Sequence, residues 1–159
     1  MNTTQIEIAV AAFFKPRVNT IVPNISWGLG IHECDLLIVT KSGHAIEVEI
    51  KVSKADLVAD KLKRHGHNSK KIRQLYFAIP ETLKMYVDHI PERAGIILVT
   101  EYPHECKAKI FRKPKLNMQA RKLTPEEILH VARLGTMRIF TLKKKIVELS
   151  KQHQNNLPV

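Results

Sequence analysis

The sequence predicts a single α/β domain, with a mixed central sheet flanked by helices and continued by a basic C-terminal helical segment. Two short apolar runs, residues 36–39 and 45–52, flank Lys41-Ser42-Gly43, the pattern of a β-hairpin. Strand-like runs then alternate with capped helical stretches, which suits a sheet covered on both faces. A chain of 159 residues, 44% of them hydrophobic, is long enough for one sizeable core and too short for two ordinary domains. Residues 1–112 are expected to form the α/β core, residues 113–151 a basic helical extension of it, and residues 152–159 a flexible tail.

In chain order, residues 3–14 predict a first helix. Thr3 or Thr4 is its expected N-cap, Ile6, Val10, Phe13 and Phe14 give it an apolar side, and Pro16 stops it. Glu7 lies at the margin of that side, where an acid also complements the helix dipole. Residues 18–25 alternate weakly around Pro23, as an edge strand does. Trp27-Gly28-Leu29-Gly30 predicts a turn into the hairpin. Ser53 and Asp56 then form a capping box for a second helix, with Leu57, Val58 and Leu62 as its stripe and Gly66 as its stop. Lys61, Lys63 and Arg64 fall on its exposed side; Asp56 and Asp60 could be drawn into a metal site, but cap and surface roles account for them.

Residues 65–71 read as a polar loop with two histidines and two lysines, placed to reach substrate phosphates or simply solvated. A strand over 72–79 ends at Pro80, and a short helix over 81–89 ends before Pro91. The run Ile96-Ile97-Leu98-Val99 predicts a strand buried on both faces, and residues 106–111 an alternating one. Thr124-Pro125-Glu126-Glu127 is a strong helix start. Gly135 is expected to separate that helix from a last one carrying Ile139, Leu142, Ile146 and Leu149.

The net charge of +11 is unevenly spread. Residues 1–50 hold three Lys/Arg against five Asp/Glu, whereas residues 107–151 hold thirteen against three. An acidic centre in a basic molecule is expected of a protein that grips a polyanion by its phosphates. Arg112, Lys113, Lys115, Arg121 and Lys122 form an acid-free segment and, with Lys70 and Lys71, are the candidate phosphate contacts. No stretch is long and apolar enough for a bilayer, and the N-terminus lacks a basic region followed by an apolar one. A cytoplasmic protein with no membrane partner is therefore expected.

Charges sit inside the hairpin strands. The two-residue period sends Ile46, Val48, Ile50 and Val52 to one face and Glu47, Glu49 and Lys51 to the other, with Asp35 opening the preceding strand. Like charges on one sheet face need a neutralising partner, which a divalent cation beside Lys51 would supply. Asp35 followed on the next strand by Glu49-Ile50-Lys51 resembles the PD-(D/E)XK nucleases of the restriction-endonuclease-like fold, although Cys34 stands where their signature has proline. The resemblance covers roughly residues 3–100.

It implies a Mg²⁺- or Mn²⁺-dependent enzyme cutting DNA phosphodiester bonds, of the kind found in repair or phage DNA processing. Asp35, Glu49 and the Ile50 carbonyl would bind the metal, and Lys51 would act on the attacking water or the transition state. Glu7 would complete the site, as a helix glutamate does in many of these proteins. Glu47 shares the face of Glu49 and would hold a second ion, pair with a lysine, or be the better ligand. A homodimer would place two centres on two strands.

Two cysteines are too few for a disulfide framework. The triplets His32-Glu33-Cys34 and His104-Glu105-Cys106 admit a Cys₂His₂ zinc site, but their spacing departs from the usual one, and free thiols are expected.

Overall fold

The computed structural model describes residues 1–25, 29–60, 67 and 69–155, with side chains through residue 152. Six strands form one sheet in chain order: β1 (Thr20–Ile25), β2 (Cys34–Val39), β3 (Ala45–Ile50), β4 (Ile72–Pro80), β5 (Gly95–Glu101) and β6 (Cys106–Arg112). β1 to β3 are an antiparallel meander, β3–β4 and β4–β5 are parallel, and β6 returns antiparallel. The sheet is therefore mixed, and helices flank both of its faces.

The hairpin forms where the turn residues allow it. Thr40 N–H donates to His44 O, and Gly43 N–H to Thr40 O, both at 2.9 Å. Gly43 has φ +81°, a left-handed conformation that glycine adopts without strain. The alternation of β3 then gives each sheet face its own core. Ile46, Val48 and Ile50 join Leu36, Ile38, Tyr76, Ala78, Ile97 and Val99 beneath Ile6, Ala9 and Val10 of helix α1 (Thr3–Phe13). Burying one such aliphatic side chain contributes about 1.5–3 kcal/mol, so this stripe is enough to seat the helix.

On the opposite face, Leu75, Phe77, Ile79, Ile96 and Leu98 pack with Leu57 of α2 (Lys54–Asp60) and with Ile90. The 3₁₀ helix Glu81–His89 rests there through Leu83, Tyr86 and Val87. The same face continues at Val22, Leu37, Val39 and Ile72, which meet Val131 of α3 (Pro125–Asn155). The central strand β5 is buried from Gly95 to Val99, as its unbroken apolar run predicts.

Three expectations change. The first helix is capped by Asn2 rather than Thr3 or Thr4. Asn2 Oδ1 accepts from Gln5 N–H at 2.9 Å while Gln5 Oε1 accepts from Asn2 N–H at 2.7 Å, a reciprocal pair that needs a side-chain acceptor three residues inside the helix. Gly135 does not break the last helix, which is continuous over 31 residues. A Cβ there would stand 3.2 Å from Val22 Cγ2, so the glycine permits α3 to press close on β1. The helix also continues to Asn155, so residues 152–155 belong to it rather than to a tail.

The Trp27 turn, Leu62 with the basic side chains 61, 63 and 64, and the Gly66 stop lie outside the described residues, as do residues 156–159. Among the described residues no helix is long and apolar enough to cross a membrane.

Candidate functional site

At the C-terminal end of β3 the chain opens a cleft of about 710 Å³, lined by Asp35, Glu49, Ile50 and Lys51, with Glu33, Asp56 and Asp60 around them. The hairpin register explains the meeting. Leu36 pairs with Val48, so Asp35, one residue earlier, falls beside the end of β3, and Ile50 N–H donates to Asp35 Oδ2 at 2.7 Å. Lys51 Nζ lies 2.8 Å from Glu49 Oε2 and 2.9 Å from Asp60 Oδ1, tying β3 to α2. Glu49 and Lys51 are only 2% and 8% exposed. Charges withdrawn from water to that degree persist only when paired.

Glu47 lies deeper on the same face and is fully buried. Its Oε1 receives His32 Nε2 at 2.7 Å and His67 Nδ1 at 2.6 Å, while His67 Nε2 reaches Asp60 Oδ2 at 2.9 Å. The neutralising partners of Glu47 are thus two histidines rather than a lysine. Burial works against its charge, but the hydrogen bonds from His32 and His67 outweigh it and hold the carboxyl below its usual value. For His67, burial likewise opposes ionisation, yet the bonds to Asp60 and Glu47 prevail and push its pKa up to about 9. Both ring nitrogens of His67 facing carboxylates is the geometry of an imidazolium. A relay therefore runs from His32 through Glu47, His67 and Asp60 to Lys51 and Glu49.

Glu7 is on α1, against the opposite sheet face, and is not among the residues lining the cleft. It is nonetheless close enough for Asp35 to act on it: burial first, and then the Asp35 charge, raise its carboxyl above the ordinary value.

No family model matches the chain, and no curated protein matches it. Among solved structures it is similar to the SPO1766 protein of unknown function from Silicibacter pomeroyi, with a TM-score of 0.65 and 17% identity over 94% of each chain. The two share a fold. At that identity the likeness carries the architecture alone.

The expected phosphate contacts lie elsewhere. The segment after β6 runs along the far end of the sheet: Lys115 N–H donates to Arg93 O, Asn117 to Arg73 O, Arg121 to Lys70 O and Leu123 to Gly43 O. Ala45 pairs near Ile72 at that end and Ile50 with Ala78 at the cleft end, so the two are separated by the length of β3, roughly 17 Å. Arg112 donates to the carbonyls of Ala94 and Pro91, Arg121 forms two 2.7 Å bonds with Glu127, and Lys71 pairs with Glu127 and the Leu29 carbonyl. These three are tied to partners within the fold. Lys70, Lys113, Lys115 and Lys122 are exposed at the same end, with Lys115 3.3 Å from Glu92.

The Cys₂His₂ alternative is not assembled. Cys34 is buried on β2, Cys106 lies four strands away on the edge strand β6, and His104 is exposed. Burial and the surrounding carboxylates, Glu47 first among them, push the Cys34 thiol up and leave it inert.

Sequence reasoning preferred a surface role for Asp60, placed His67 in a polar loop, and missed the partner of His32. All three are buried or nearly so. The available signal was Glu47 itself, since an acid on a buried strand requires a counter-charge, and the connections before β2 and β4 carry His32, His65 and His67.

Proposed function

We propose that the protein is a metal-dependent nuclease that hydrolyses DNA phosphodiester bonds at the Asp35–Glu49–Lys51 cleft, within a restriction-endonuclease-like version of the α/β fold. The observation that supports this most is the convergence of Asp35, Glu49, Ile50 and Lys51 on one cleft across a hairpin. Asp35 and Glu49, with the Ile50 carbonyl, are a hard oxygen donor set that fits Mg²⁺ or Mn²⁺. When bound there, such an ion lowers the pKa of a coordinated water and polarises the phosphate.

The remaining chemistry belongs to the chain. Lys51 presents a positive Nζ at the cleft, where it orients the attacking water and steadies charge developing on phosphorus. Asp60 and Glu49 hold that ammonium from two sides, fixing it before substrate arrives. Burial first, and then the Asp35 charge, raise the Glu7 carboxyl, and a cation would relieve the second of these.

The test is incubation of supercoiled, linear, single-stranded and branched DNA with the protein and Mg²⁺ or Mn²⁺, beside Asp35→Ala, Glu49→Ala and Lys51→Ala. Each substitution is expected to lower cutting by about 100-fold or more. Cutting that survives all three rejects the site. Metal-independent binding with no cutting favours a non-catalytic nucleic-acid-binding protein on the same scaffold.

A further inference from the structure

We infer a second, transition-metal site formed by His32, Glu47 and His67, distinct from the oxygen-lined cleft and suited to an ion of the Zn²⁺ class. The inference is independent of the nuclease reading. Two imidazole nitrogens converge on one carboxylate oxygen, at 2.7 and 2.6 Å, from opposite sides of the chain's path: His32 precedes β2, and His67 belongs to the connection between α2 and β4. Their ligand atoms lie within 4.8 Å of one another. Two histidines and one glutamate form a donor set typical of zinc, and imidazole nitrogen excludes the hard cations as its natural occupants.

A second observation points the same way. Glu47 is fully buried, yet its Oε2 has no hydrogen-bond partner among the described residues. A buried carboxylate oxygen left unpaired is costly, and an ion at the site would satisfy it. The outer arrangement is also in place. His67 directs Nδ1 at the site while its other ring nitrogen lies 2.9 Å from Asp60 Oδ2, the carboxylate–histidine support that fixes the orientation of metal-bound imidazoles. Bound metal replaces the protons now shared with Oε1, and the three ligand atoms separate to roughly 3.3 Å around it.

Such an ion pins the connections before β2 and before β4 onto β3. Because His67 also holds Asp60, and Asp60 holds Lys51, the ion sets the floor of the neighbouring cleft without belonging to it.

The experiment uses the full chain stripped by chelator and titrated with Co²⁺ and Zn²⁺. One equivalent of Co²⁺ is expected to bind with visible d–d bands, to be displaced by Zn²⁺, to be retained in Asp35→Ala, and to be lost in His32→Ala. Saturating Zn²⁺ is expected to raise the melting temperature by about 5–10 °C. Should His32→Ala fail to fold by circular dichroism, X-ray absorption on the Zn²⁺-loaded wild type decides. Scattering from two imidazoles supports the site, and an oxygen-only shell overturns it. Absence of Co²⁺ uptake, or uptake lost in Asp35→Ala and kept in His32→Ala, also overturns it, because the network is then a set of ion pairs or the metal sits in the cleft. The cutting assay reports on the cleft separately, so either reading can fail alone.

Discussion

β3 and the second half of α3 invert the usual rule in opposite directions. β3 hides Glu47 and Glu49 and the strand's continuation hides Lys51, while Ile139, Leu142, Ile146 and Leu149 of α3 are each more than half exposed. The two inversions are resolved differently. Glu47 meets His32 from the connection before β2 and His67 from the residues before β4, Lys51 meets Asp60 of α2, and Glu49 meets Lys51 itself. The apolar stripe of α3 is covered by the sheet only in its first turns, around Ile128, Val131 and Leu134, and no described residue buries it beyond Gly135. Buried charge is thus tightly specified by tertiary structure, whereas the exposed stripe adds nothing to the stability of this chain alone.

The sharpest way to break that contrast is Glu47→Ala. It removes one of the two carboxylates that hold the buried His67 imidazolium, leaving Asp60 alone to balance it, and removing one partner from a buried ion pair costs about 3–5 kcal/mol. Urea unfolding is expected to show this loss with an unchanged slope. A loss below about 1 kcal/mol would mean that the histidines adjust without their carboxylate.

A smaller effect separates the anchored start of α3 from its free length. Glu127 caps the helix at Thr124 N–H and receives Arg121 and Lys71. The Arg121 bonds above all hold its carboxyl well below the ordinary value of 4.5. A depressed carboxylate contributes stability that is present above about pH 4.5 and is lost as pH falls through its folded value. Hydrogen exchange at the first turn of α3 is expected to accelerate on acidification below that point. Glu127→Gln, at a cost of about 1 kcal/mol, should flatten the dependence.

The smallest change is expected from Leu142→Glu with Ile146→Glu. Both side chains are about 60% exposed, so the unfolding free energy of the isolated chain should change by no more than about 0.5 kcal/mol. A larger shift in dilute protein would show that the stripe is covered after all.

Much of this architecture was legible because its determinants are local. The period of two in β3 and the Lys41-Ser42-Gly43 turn place the hairpin, and the hairpin alone brings Asp35 beside Glu49 and Ile50. The buried relay was not legible, because His32, Asp60 and His67 reach Glu47 and Lys51 only through the path of two irregular connections. Net charge alone did not show how the segment from 112 to 122 is held. A count of lysines and arginines does not reveal that Arg112 turns back on carbonyl groups or that Arg121 is held by Glu127. Gly135 misled for the opposite reason: glycine inside a helix permits close packing as readily as it permits a stop.

Strand order also governs the sequence of assembly. β1, β2 and β3 pair with their immediate neighbours in the chain, whereas β4 can join β3 only after a crossover has been threaded through α2. Contacts between near neighbours close faster than distant ones. The contacts that set Asp35 beside the end of β3 and Lys51 beside Glu49 are therefore local in the chain, whereas those from Asp60 and His67 need the crossover in place.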